Sequence, residues 1–129
     1  MTFVVTKDGV SNTMTLQNDE KITIGSGSPQ SVGIFAVNGD TATTSNTADK
    51  LKAINNKKIE VNSTESIGIS AQKSTVENNG TIVMNKDKSA GIYGKLNSEV
   101  TNKGSITASD EKSAGIYLED SNAENEIGR

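Results

Sequence analysis

Ser89-Ala90-Gly91-Ile92-Tyr93 returns 24 positions later as Ser113-Ala114-Gly115-Ile116-Tyr117, and that return decides the fold. An earlier copy, Ser66-Ile67-Gly68-Ile69, lies 23 positions before the first, and Ser31-Val32-Gly33-Ile34 a further 35 before that. Two other columns keep step. Ile59, Ile82 and Ile106 are separated by 23 and 24 positions, and Asn55, Asn78, Asn102 and Asn125 by 23, 24 and 23. Three independent columns at one period define a repeat, and a period of about 20–50 residues is the mark of a stacked architecture.

Each repeat contains three short runs in which apolar and polar residues alternate, as strands with one buried face require. The first is Ile22/Ile24, Ile59/Val61, Ile82/Met84 and Ile106/Ala108; the second is Val32/Ile34/Ala36, Ile67/Ile69/Ala71, Ala90/Ile92 and Ala114/Ile116/Leu118. The third is an apolar residue followed two places on by Asn, as in Leu16-Gln17-Asn18 and Val76-Glu77-Asn78. Asn79-Gly80 and Lys103-Gly104 mark the turns between runs. Three strands in 23 to 24 residues is the count of a three-sided parallel β-helix of about five coils. Residues 1–129 then form a single solenoid segment. Gly9-Val10, 24 positions before Gly33-Ile34, is expected to belong to a degenerate first coil. The long interval from Gly33 to Gly68 places an inserted loop at 38–49, which a solenoid tolerates at a corner.

Strands pair about 4.8 Å apart, so like residues in successive coils sit on one another. Asn55, Asn78, Asn102 and Asn125 are expected to point inward at a corner and bond the next coil's amide. By strict alternation Gly33, Gly68, Gly91 and Gly115 fall on the outward face, as a bulge or a shallow groove. Phe35, Ser70, Tyr93 and Tyr117 share one outward column. Its aromatic rings suit contact with carbohydrate or protein, or form an intramolecular ladder. The inserted loop supplies further binding candidates in Asn38, Asp40, Thr43 and Asn46.

Only 32% of the residues are hydrophobic and 3% aromatic, too few for a globular core of ordinary thickness but enough for a thin one stacked along an axis. A net charge of −3 with scattered lysines argues against nucleic acid as a partner. No apolar run is long enough for a membrane-spanning helix, and there is no cysteine to staple the fold. Histidine is absent and the sole arginine is Arg129, which removes the commonest acid–base, triad and lyase arrangements. The adjacent pairs Asp19-Glu20, Asp110-Glu111 and Glu119-Asp120 read as solvated turn charge, because strand neighbours point to opposite faces. No calcium-binding nonapeptide or EF-hand loop occurs, so no metal or other cofactor is expected. The expectation is a chain that is not an enzyme.

The run Ser-Ala-Gly-Ile-Tyr followed by apolar-x-Asn-x-Gly-Ser/Thr-Ile, at residues 89–106, resembles the passenger repeats of type Va autotransporter adhesins, particularly the large fusobacterial outer-membrane ones. The resemblance covers residues 59–129 well and 16–37 in part. It implies a right-handed β-helix, exported to the cell surface and used in attachment to a host or bacterial surface protein or glycan. The chain is then an internal segment of a longer passenger that does not itself insert in the membrane. Its open strand edges favour end-to-end self-association. A carbohydrate-active β-helix enzyme and a trimeric surface or phage fibre are the alternatives.

Overall fold

The computed structural model describes residues 2–5, 14–38, 51–110 and 112–126, with 2–5 and Met14 described by backbone alone. Among these residues every regular element is a β-strand and every strand pairing is parallel. The first sheet stacks Thr2–Val5 (β1), Val32–Asn38 (β4), Ile67–Gln72 (β7), Ala90–Lys95 (β10) and Ala114–Glu119 (β13) in that order. The second stacks Met14–Asn18 (β2), Leu51–Asn55 (β5), Thr75–Asn78 (β8), Glu99–Asn102 (β11) and Asn122–Asn125 (β14). The third holds Ile22–Ile24 (β3), Lys58–Val61 (β6), Thr81–Met84 (β9) and Ser105–Ala108 (β12). The chain visits the sheets in rotation and is a three-sheet parallel solenoid.

The register is the one the repeat demands. Val76 faces Val100, Ile82 faces Ile106, and Ile92 lies between Ile69 and Ile116. Ile34, Ile69 and Ile92 from the first sheet meet Ile59 and Ile82 from the third, with Ala53, Val76 and Val100 closing the second side. One or two side chains per strand therefore fill the core, which is how so polar a chain excludes water.

The expected count of about five coils is corrected. Regular turns number about three, between Asn55 and Asn125; the turn before them is enlarged. The connection from β4 to β5 takes residues 39–50, where β7 to β8 takes 73–74 and β10 to β11 takes 96–98. Of the loop expected at 38–49, Asn38 is the last residue of β4 and the rest lies outside the described residues. An earlier strand does stack on the first sheet, β1 pairing with β4 and Thr2 lying opposite Phe35, whereas Gly9-Val10, expected in a degenerate first coil, lie outside the described residues.

Each corner is closed by a polar ladder. At the corner from the second sheet to the third, Nδ2 of Asn18 donates to Oδ1 of Asn55 at 2.9 Å. Asn55 donates likewise to Asn78 at 2.8 Å, Asn78 to Asn102 at 2.8 Å and Asn102 to Asn125 at 3.0 Å. The same Nδ2 groups donate to the carbonyl two residues on: Glu20 at 2.7 Å, Lys57 at 2.7 Å, Gly80 at 3.2 Å and Gly104 at 3.3 Å. The other corners use serine. The amides of Ser31, Ser66 and Ser89 donate to the hydroxyls of Ser66, Ser89 and Ser113, and those of Ser74 and Ser98 to the hydroxyls of Ser98 and Ser121. The residues before Ser31, Ser66, Ser74, Ser89, Ser98 and Ser121 take a left-handed backbone (Gln30, Glu65, Lys73, Lys88, Asn97 and Asp120), which turns the chain sharply enough to bring the hydroxyl inside. Among the described residues no buried side-chain nitrogen or oxygen lacks a hydrogen-bond partner.

Outside the solenoid, carboxylates bridge the coils. Glu60 lies 3.1 Å from Lys58 Nζ and 3.5 Å from Lys21 Nζ; Glu77 lies 3.2 Å from Lys52 Nζ and 3.7 Å from Lys103 Nζ. The Asn62 amide, then Lys58 and Lys21, hold the Glu60 carboxyl down at about 2, against an ordinary value of 4.5. Hydrogen bonding lowers Asp19 (chiefly Asn56) and Glu77 (chiefly Asn79) in the same direction. For a carboxyl depressed in the folded state, the stabilisation is complete above the unfolded value and is lost as pH falls through the folded one. Thermal unfolding followed by circular dichroism is therefore expected to shift to lower temperature as pH drops from 4.5 toward 2, and Glu60→Gln to flatten that dependence.

Candidate functional site

Three of the four glycines expected on the outward face do not lie there; Gly115, in the last described coil, is exposed. Gly33, Gly68 and Gly91 are buried, and in each case the following isoleucine is buried too. A Cβ on Gly68 would sit 2.6 Å from the Gly91 carbonyl oxygen and 3.1 Å from Ile82 Cγ2. On Gly91 it would sit 2.6 Å from the Gly115 oxygen and 2.8 Å from Ile106 Cγ2. Ladder pairing steps over these glycines, joining Val32 to Ile67 and Ile34 to Ile69. The arrangement is a stacked bulge: one extra inward residue per coil, too close to its neighbour for any side chain.

The bulge has a consequence on the outer face. It turns the residue before each glycine outward, so Val32, Ile67, Ala90 and Ala114 are only partly buried instead of joining the core as expected. Phe35, Ser70, Tyr93 and Tyr117 remain in one column, paired in register across β4, β7, β10 and β13. The rings of Tyr93 and Tyr117 meet edge to face, with centroids 5.3 Å apart and planes at 88°. Tyr117 is 51% exposed.

These two columns enclose a groove of about 450 Å³ along β10 and β13. Ile67, Ala90 and Ala114 form its floor, Tyr93 and Tyr117 one wall, and the corner residues Glu65, Lys88 and Lys112 the other, with Glu119 at one end. The floor drops where Val32 and Ile67 give way to alanine, which leaves the tyrosines standing beside open space. The Tyr93 phenol is pushed above its ordinary value, first by burial and then by the neighbouring Glu119 carboxylate, to which its hydroxyl can donate. Glu65 accepts from Gln30 Nε2 at 3.0 Å.

Of the other binding candidates, Phe35 is half-buried on β4, away from the groove lining. Asn38 ends β4 with 4% exposure and forms part of the coil wall, so its side chain is not presented outward as a loop residue would be. Asp40, Thr43 and Asn46 lie outside the described residues. No group of three or more acidic, histidine or cysteine side chains able to hold a metal ion occurs among the described residues. No helix there is long and apolar enough to cross a membrane.

Fold and surface together define a parallel three-sheet β-solenoid with one lateral groove walled by tyrosine. Comparison with known proteins finds no matching family model, no matching curated protein and no matching solved structure.

Proposed function

We propose that the chain is a binding and spacing segment of a bacterial cell-surface adhesin of the autotransporter type. It is read as part of a right-handed β-helical passenger, the hand that parallel strand crossovers almost always adopt. The observation that carries the reading is the pairing of a fully laddered solenoid with a laterally exposed groove walled by tyrosine. A rod of this construction holds its outward side chains at fixed positions without the entropy cost of ordering a loop. Attachment then comes from non-covalent contact along its side with a host or bacterial surface protein or glycan, without turnover. End-to-end association of such rods uses their open strand edges.

Beads coated with the purified chain are expected to be retained on epithelial or bacterial cells above beads coated with an unrelated β-solenoid, and soluble chain to compete for retention. Equal retention of both beads would contradict the reading. Release of reducing ends from a polysaccharide panel would favour an enzyme instead.

A further inference from the structure

We propose that the groove over β10 and β13 is a subsite for a carboxylated sugar residue of an acidic glycan. The proposal rests on the adhesive reading and supplies its ligand class. Three observations converge. The groove, at about 450 Å³, falls within the range of small-ligand sites rather than protein interfaces. Its floor is two alanines and an isoleucine, and its wall is a tyrosine pair whose ring orientation is fixed by edge-to-face contact. Such a surface packs against the C–H face of a pyranose ring.

The charges decide between a neutral and an acidic sugar. Among the described residues four charged side chains line the groove: Glu65, Glu119, Lys88 and Lys112. Glu65 accepts from the Gln30 amide, and Glu119 lies beside the Tyr93 hydroxyl, whose pKa is raised first by burial and then by that carboxylate's charge. No ion pair engages either lysine ammonium among the described residues. Lys88 and Lys112 stand 24 residues apart, on consecutive coils, and Lys88 is set by a left-handed backbone with φ 56°. Two lysines without an ion pair, carried on coils about 5 Å apart beside an apolar floor, match a carboxylate carried on a sugar ring. The carboxylates of Glu65, beside the lysines, and of Glu119, at the end of the groove, can accept from ring hydroxyls.

The test titrates the isotopically labelled chain with sialyllactose, with a glucuronic-acid-containing tetrasaccharide and with neutral lactose, reading amide shifts by NMR. An acidic sugar is expected to move the amides of Ala90, Tyr93, Ala114 and Tyr117, with lactose weaker by about tenfold or more. Lys88→Gln with Lys112→Gln is expected to weaken the acidic sugar by a similar factor of about ten while leaving the folded spectrum intact. Tyr117→Ala should weaken all sugars alike. The proposal is overturned if lactose binds as well as its acidic counterparts, if inorganic sulfate moves the same amides as strongly, or if no sugar moves them. Cell retention that persists without any sugar response would sink this inference and leave the adhesive reading standing; sugar binding without retention would do the reverse.

Discussion

Asn78→Ala is expected to destabilise the fold by about 3–5 kcal/mol, because it deletes the middle of a continuous buried ladder. Asn78 donates to Asn102 Oδ1 at 2.8 Å and to the Gly80 carbonyl at 3.2 Å, and accepts from Asn55 Nδ2 at 2.8 Å. Gly80 O still receives the Ser105 amide at 3.0 Å, and Asn55 Nδ2 keeps Lys57 O at 2.7 Å. Asn102 Oδ1, however, loses the amide that Asn78 supplied, inside a corner where Asn102 is only 5% exposed. An orphaned buried acceptor alone costs about 1–3 kcal/mol, and the cavity adds to it. Chemical denaturation of the variant beside the parent chain measures the difference. Asn78→Asp is expected to fare worse at neutral pH, since it sets a carboxylate oxygen where an amide now donates to two oxygens. A loss below about 1 kcal/mol for Asn78→Ala would mean that the ladder is incidental.

Gly91→Val carries the second large effect, about 4 kcal/mol, at the upper end of overpacking. The backbone at Gly91 is not left-handed, so conformational strain is not the cause. The cause is distance: any Cβ there meets a carbonyl oxygen of the next coil at 2.6 Å and a methyl of Ile106 at 2.8 Å. Relief requires the coils to separate, which breaks the strand ladder between β10 and β13. Gly25 provides the control, because nothing lies within 4 Å of a Cβ built there. Gly25→Ala should change stability by no more than about 0.5 kcal/mol. If both substitutions cost the same, the stacked bulge is not the reason for the glycine column.

The fold is legible in the sequence wherever the sequence repeats. Ile82 over Ile59 and Asn78 over Asn55 can be read because stacking puts like residues in register, and the period is written in the residues themselves. The pairing of Thr2–Val5 with the first sheet is not legible, since that segment shares no residue pattern with the later coils. Gly68 and Gly91 mislead because alternation assumes one residue per pleat. A bulge inserts one more and reverses the facing of everything before it in the strand. That single reversal hides the floor of the groove: Ala90 and Ala114 read as core, whereas the tyrosines beyond the bulge keep their expected outward side. The serine ladders are written as plainly as the asparagine one, with Ser66, Ser89 and Ser113 heading the Ser-apolar-Gly-Ile motif. Their signal is easily missed because serine is common in turns. Only its constant place at the corner, after a left-handed residue at Ser66 and Ser89, distinguishes it.

Interstrand nuclear Overhauser effects in the labelled chain test the stacking of coils most directly. Backbone contacts are expected between Val76 and Val100, Ile82 and Ile106, and Ile92 and Ile116, all in the pattern of parallel strands. Absence of these pairs from a folded spectrum, or an antiparallel pattern among them, would contradict the solenoid and everything built on it.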